Sequence, residues 1–407
     1  MSLAGRDLIG SVRAHPASEA VIRAVRARRA WQQPDWPDPA AVAGVTAQLA
    51  SAPGLVSGSE AAELRGLLAE VAGGRLLVLQ AGDCAEVPEQ ATPERIAHRA
   101  GLLHALGDAL GARARRPVVT VGRIGGQYAK PRSQATEVRD GRELPAFRGH
   151  LVNGPDFDAE SRTPDPRRMT AGYRAAAEVA GVLASARPAR SGHALPRVWT
   201  SHEALVLDYE LPLVRRHDGR PVLTSTHWPW IGDRTRQLDG AHVELLSQVS
   251  NAIACKVGPG MTAAELVAVC DRLDPGREPG RLSLIARLGE RRVEALLPPL
   301  VAAVRRAGHP VVWLCDPMHG NTFRSPQGRK IRLVGSLVRE VRAFHAAVTA
   351  ERGVAGGLHL EVSPAPVVEC VSDEAGWAWP PGAPEPLCDP RLNPAQAHQV
   401  VAAWPGR

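Results

Sequence analysis

Of the 49 basic residues in this 407-residue chain only three are lysine: Lys130, Lys256 and Lys330. Where a cation merely has to be solvated the chain uses arginine, so a retained lysine marks a place that needs a compact ammonium rather than a planar fork. Lys130 in GGQYAKPRS and Lys256 in ACKVGPGM lie in Gly/Pro-rich stretches that read as loops facing a ligand. With Arg123, Arg132, Arg234 and Arg287 they make six cations, against three acids expected to pair with them, Glu86, Glu203 and Asp233. Guanidinium forks chelate carboxylate and phosphate in bidentate fashion, so such a set points to anionic, phosphorylated substrates. A second set, Cys84, His319, Glu361 and Asp389, offers one thiolate, one imidazole and two carboxylates. That mixture suits a divalent transition metal rather than Ca²⁺ or a structural zinc. Singly, Cys84 reads as a small buried residue and His319 as an ordinary loop histidine; gathered at one place they read as ligands. A metal that polarises a carbonyl beside phosphate clamps serves either a carbon–carbon bond-forming or bond-breaking enzyme on sugar phosphates or a metal-assisted phosphohydrolase. Spacing alone leaves both open.

Residues scattered from position 84 to 389 meet only if the fold returns to one mouth again and again. Eight short apolar runs provide for this: RLLVLQ (75–80), RPVVTV (116–121), RVWTS (197–201), PVLTSTH (221–227), NAIACKV (251–257), RLSLIAR (281–287), PVVWLC (310–315) and GLHLEV (357–362). Continuous rather than alternating apolar character marks strands buried on both faces, and the Ala/Leu-rich stretches between them mark right-handed βα crossovers. The expected fold is α/β, a (β/α)₈ TIM barrel over 75–407 with a helical N-terminal extension over 1–74. Thr92-Pro93 and Thr262-x-x-Glu265 read as helix starts, Ser59 as the N-cap of a helix ending at Gly73-Gly74, and 168–185 and 394–403 as further helices. In such a barrel the active site lies at the C-terminal ends of the strands, and every one of the eight runs ends in or near a candidate residue.

Composition excludes several classes. A charged fraction of 22% beside a hydrophobic fraction of 44% is that of a globular protein, neither disordered nor fibrous. The net charge of +7 comes from interspersed acids and bases with short RARR clusters, without a nucleic-acid-binding module. No apolar run reaches the roughly 18 residues of a membrane span, and the first twenty residues lack the apolar core of a secretory signal, so a soluble cytoplasmic protein is expected. Six dispersed cysteines without a CxxC pair read as free thiols.

The strings GDCAE, GQYAKPRS, SHEALVLDYE, WIGDRTRQLDGAH, KVGP, CDPMHGNT, HLEV and CDPRLN, in this order over roughly residues 75–395, resemble the class II (plant-type) 3-deoxy-D-arabino-heptulosonate 7-phosphate synthases. The resemblance implies condensation of phosphoenolpyruvate with erythrose 4-phosphate, dependence on Mn²⁺, Co²⁺ or a similar ion, and a homo-oligomer, dimer or tetramer. It implies Cys84, His319, Glu361 and Asp389 as metal ligands, and Arg123, Arg234, Lys256 and Arg287 as the phosphoenolpyruvate clamp. Lys130, Pro131, Arg132 and Ser133 resemble the erythrose 4-phosphate contact, with Glu203 a further substrate-binding residue. Lys256 is the general acid/base candidate, and Asp233 and His319 join it as catalytic residues.

Three departures from the family pattern stand out. Asp233 replaces the usual glutamate, drawing the carboxylate back by one methylene, about 1.5 Å along the chain. Only a dozen residues join the 168–185 helix to RVWTS, where longer, feedback-regulated members carry a helical insertion. An enzyme insensitive to Phe, Tyr and Trp is therefore expected, similar to the short members that supply secondary metabolites such as phenazines, an analogy and no more. The Trp/Pro-rich segment 371–388 matches no motif. If Asp389 reaches the metal, Cys388 must lie near Cys84, where oxidation would join the two thiols and expel the ion. Two other readings share these residues: the same condensation on an amino sugar phosphate, and a catalytically silent paralogue that acts as a binding protein.

Overall fold

The structure, a computed structural model, describes residues 16–186, 192–326, 328–372 and 386–406. Eight parallel strands close into a barrel: β1 (Leu77–Gly82), β2 (Val118–Arg123), β3 (Ala194–Glu203), β4 (Trp228–Ile231), β5 (Ile253–Val257), β6 (Leu282–Ala286), β7 (Val312–Cys315) and β8 (Val354–Glu361). Each pairs with its sequence neighbours, and β1 closes the ring against β8. Seven of the eight runs expected from the sequence coincide with these strands. The fourth does not: Arg220–Leu223 pairs antiparallel with Val214–His217 in a hairpin, and the barrel strand is the WPWI that follows. Asn251 holds this arrangement, its side chain accepting from the Leu223 N–H and donating to the Leu223 carbonyl.

Three helices precede the barrel: α1 (Pro16–Arg26), α2 (Pro39–Ser51) and α3 (Gly58–Ala72). The capping box of α3 is built on Ser57 and Glu60, two residues earlier than the expected Ser59. Leu64, Leu68 and Val71 of α3 share one cluster with Val78, Val119, Trp199, Trp228 and Trp230, so this helix stops the barrel at its base and leaves the other end for chemistry. The strands alternate accordingly, with Leu77 and Leu79 joining the helix layer while Val78 faces the interior.

The outer layer comprises α4 (Pro93–Ala114), α5 (Arg167–Ser185), α6 (Ala241–Gln248), α7 (Ala263–Leu273), α8 (Val293–Arg306), α9 (Val334–Ala350) and α10 (Pro394–Val401). Thr92 caps α4 ahead of Pro93, and Thr262 and Glu265 form the expected box on α7. Among the described residues no helix is long and apolar enough to cross a membrane. Residues 373–385, most of the unmatched Trp/Pro-rich segment, lie outside the described residues.

The seam between β1 and β8 depends on Gly357, whose φ is +151° and whose added Cβ would fall 1.8 Å from the Val78 carbonyl oxygen. Gly357→Ala is expected to cost about 3 kcal/mol of stability by forcing the seam apart, read as a lower urea midpoint with an unchanged slope.

Candidate active site

Register places Glu361, Gly82 and Arg123 side by side at the C-terminal ends of β8, β1 and β2. Glu361 is fully buried and accepts from Arg123 Nη2 at 3.1 Å and Arg332 Nη1 at 2.7 Å. Burial alone would raise its carboxyl, but His319, Arg332, Arg123 and Lys130 around it hold it well below the usual carboxylate range. The other arm of Arg123, Nη1, donates to His359 Nε2 at 2.9 Å. Gln80 spends its amide N–H on Ser201 Oγ, so its oxygen faces His359 Nδ1 at 2.6 Å and fixes the tautomer that accepts from the arginine. Burial and the neighbouring Lys256 and Arg123 keep His359 neutral.

The loop after β7 supplies His319. Its Nδ1 lies 2.8 Å from Asp316 Oδ2, so the ring is oriented by a carboxylate and its Nε2 points at Glu361 Oε1, 3.2 Å away. Donor atoms of His319, Glu361 and Asp389 all lie within 4.8 Å of one another. With Nδ1 committed to Asp316, Nε2 and the two carboxylates make a donor set of one nitrogen and two oxygens, which fits a divalent transition metal. Asp389 is bound by Lys330 at 2.9 Å and lies 3.7 Å from Lys130, and these cations outweigh burial to hold it far below its ordinary value. Cys84 stands at the edge of the cluster without joining it. Its thiol bonds that of Cys388, which with burial raises it well above an ordinary thiol while Lys130 opposes.

Lys256, Arg287 and Asp316 occupy the ends of the adjacent strands β5, β6 and β7. Lys256 donates to Asp316 Oδ2, and Arg287 bonds Asp233 Oδ2 at 2.9 Å and the His319 carbonyl at 3.1 Å. Burial lowers Lys256 from 10.5 to about 8 although Asp316 pulls the other way. Glu203, half-buried with its Oε1 fully covered, is raised by desolvation against the pull of Lys130 and Lys256, and that oxygen has no hydrogen-bond partner among the described residues. Glu203, Asp233, Lys256, Arg287 and His319 line an inner pocket of about 80 Å³, with Asp316 behind them. It shares Lys130, Pro131, Arg234 and Asp389 with an outer cleft of about 860 Å³, where Arg234 donates to Ser133 and Arg132 pairs with Glu137.

The structure thus gathers every candidate read from the sequence at one mouth, with Cys84 beside rather than within the donor cluster. The ion pairing differs from expectation. Glu86 accepts instead from the backbone N–H groups of Gly125, Gly126 and Gln127, and only Asp233 of the three acids takes an arginine of the clamp. Arg332, His359 and Lys330 were not singled out as site residues. Lysine scarcity was a signal for Lys330, and nothing in local sequence distinguishes buried Arg332 from its solvated counterparts.

Fold and site together define a (β/α)₈ barrel with an arginine- and lysine-lined pocket beside a His/Glu/Asp donor cluster. The sequence profile described as Class-II DAHP synthetase family matches residues 21–195 and 186–403. A probable phospho-2-dehydro-3-deoxyheptonate aldolase of Pseudomonas fluorescens is 49% identical over 388 residues, covering 95% of this chain and 97% of that protein. A phospho-2-dehydro-3-deoxyheptonate aldolase of Streptomyces coelicolor is 38% identical over 90% of this chain and 92% of its own, and one of Mycolicibacterium smegmatis 37% identical over 92% of each. The chain belongs to the class-II DAHP synthetase family.

Asp316 is the counter-ion that allows Lys256 to be charged while buried. Asp316→Asn is expected to lower the unfolding free energy at pH 7 by about 3 kcal/mol, because an unpaired ammonium remains inside. Since Lys256 is lowered from 10.5 to about 8, the unfolded chain binds more protons than the folded one between those values, and this lysine's contribution to stability rises with pH across that window. In the variant the lower edge of the window moves below 8. Urea unfolding from pH 6 to 10 measures both effects.

Proposed function

We propose that this chain condenses phosphoenolpyruvate with erythrose 4-phosphate to 3-deoxy-D-arabino-heptulosonate 7-phosphate and inorganic phosphate, using Mn²⁺, Co²⁺ or a similar ion. The observation that carries this reading is the convergence of Arg123, Lys256 and Arg287 on one pocket with the His319, Glu361 and Asp389 donor set. The names of its relatives agree.

Arg123, Arg234, Lys256 and Arg287 bind the carboxylate and phosphate of phosphoenolpyruvate, the planar forks fixing orientation and the lysine supplying a titratable charge. Asp233 takes Arg287 on one oxygen and Arg236 on the other at 2.8 Å, so the shortened acid acts by aiming the arginine. Lys130, Pro131, Arg132 and Ser133 hold the aldehyde's phosphate in the outer cleft. His319, Glu361 and Asp389, with Cys84 as a fourth donor, would hold the ion, which when bound serves as a Lewis acid toward the aldehyde carbonyl. The enol carbon attacks that carbonyl, and water adds to the resulting oxocarbenium carbon before the C–O bond to phosphate breaks. Lys256, poised near neutrality, and Glu203, raised by burial, are the groups that orient this water and move its proton.

Chelator-stripped protein is expected to consume phosphoenolpyruvate only after Mn²⁺ is returned, with loss of the enol absorbance matched by phosphate. Lys256→Met should lower kcat by about 10²- to 10⁴-fold. Failure of every divalent ion to restore turnover, with erythrose 4-phosphate or its amino analogue, would sink the reading.

We also propose that aromatic amino acids do not regulate this chain. The two profile matches meet at residues 186–195, the short connection between α5 and β3, which supports the loss of a segment there. Phe, Tyr and Trp at millimolar concentration are each expected to leave the rate unchanged in a coupled assay, and inhibition by more than half would overturn this.

A further inference from the structure

The segment ARRAWQQPDW ahead of α2 lines neither pocket, yet it is bonded to three of the loops at the C-terminal end of the barrel. The Arg29 carbonyl accepts from the Ala241 N–H at the start of α6, behind β4. Gln33 donates to the Leu205 carbonyl and accepts from the Leu207 N–H, both at 2.9 Å, behind β3. Trp36 Nε1 donates to Asp208 Oδ2 at 2.9 Å on the same loop. Gln32 reaches the third loop, behind β2. Its side-chain oxygen accepts from the Arg132 N–H at 2.9 Å, and its carbonyl accepts from Arg148 Nη2 at 2.6 Å.

Three of the eight βα loops are therefore tied by one strap, and they carry Lys130 to Ser133, Glu203, and Asp233 with Arg234. Gln32 also has a φ of +61°, a left-handed conformation that costs a residue with a Cβ and is retained where the surroundings determine it. That backbone turn is what lets one residue present both its carbonyl to Arg148 and its amide oxygen to Arg132. The Arg132 N–H is the only backbone donor in Lys130–Ser133 bonded by a side chain among the described residues, so its position is set from outside the barrel.

We propose that residues 29–36 form a positioning strap for the aldehyde-phosphate end of the site, and that Gln32 is the residue that sets the KPRS loop. This rests on the reading of Lys130–Ser133 given above. Among the described residues Gln32 makes no hydrogen bond to Lys256 or Arg287 at the ends of β5 and β6, nor to the loop that carries Asp233 and Arg234, so altering Gln32 alone separates the two substrates.

Gln32→Ala and Gln32→Gly both delete the bond to Arg132, and the glycine alone relieves the positive φ. Both variants are expected to raise KM for erythrose 4-phosphate about tenfold, leave KM for phosphoenolpyruvate within about twofold, and speed hydrogen exchange of the Arg132 amide. Thermal unfolding of each variant establishes that it is folded. Equal changes in both KM values, or an Arg132 amide that exchanges as in the unaltered chain, would overturn the proposal, as would full recovery in the glycine variant. A chain that turned over neither substrate would defeat the reading of the pocket, and the exchange measurement would still decide the strap.

Discussion

A carboxylate with no exposed surface at the end of a barrel strand is the constraint from which the rest of this site follows. An unpaired ionised carboxylate in an apolar interior costs many kcal/mol, and a buried pair survives only when its hydrogen-bonding capacity is filled. Glu361 meets that demand by drawing Arg123 from the end of β2, Arg332 from the stretch before α9, His319 from the loop after β7 and Lys130 from the loop after β2. Each of those groups then needs its own support. Arg123 leans on His359 and Trp230, His319 on Asp316, and Asp316 in turn neutralises Lys256. One buried charge thus links residues of five of the eight strands and the loops behind them into a connected network.

The barrel makes this affordable by separating two tasks along its axis. At the base, α3 and the inward Trp199 and Trp228 fill the interior with apolar surface, and stability is supplied there. A polar layer follows, with Gln80, Ser201 and His359 bonded across the interior, and above it lies the charged layer. Parallel strands in register carry side chains two residues apart onto successive layers, so His359 and Glu361 on one strand belong to the supporting and the reacting layer respectively. Arg123, 2% exposed and bonded to His359 of this polar layer, is held as firmly as a core residue.

What the sequence could tell was bounded by how local each signal is. Strands buried on both faces announce themselves as continuous apolar runs, which is why seven were legible. The fourth was misplaced because PVLTSTH has the β-branched character of a barrel strand, whereas WPWI, despite two strand-favouring rings, carries a proline that argues against a central strand. The rings are there because Trp228 and Trp230 fill the barrel interior, a requirement that arises only once the ring has closed. Residues in strings resembling a family were legible as a set. Arg332 was not, since its partner Glu361 lies 29 residues away and its own neighbours, KIRL, read as an ordinary edge strand.

The scarcity of lysine, a feature of the whole chain, proves to have a local meaning. All three lysines stand around the same corner: Lys130 near Glu361 and Asp389, Lys330 on Asp389, and Lys256 on Asp316. Lys330 and Lys256 each bond a carboxylate with a further contact to serve, Asp389 in the candidate donor cluster and Asp316 in orienting His319. A bidentate guanidinium would occupy both oxygens of such a carboxylate in a fixed plane and leave it no geometry for the second task. An ammonium takes one oxygen as a point charge and leaves the other free to turn. Lys256 adds a further reason, because its proton is lost at about 8 and an arginine's would be held throughout the working range. At Asp389 and Asp316 the chain thus keeps lysine where a carboxylate is neutralised without one fork chelating both oxygens, whereas Glu361 takes Arg123 and Arg332 on separate oxygens.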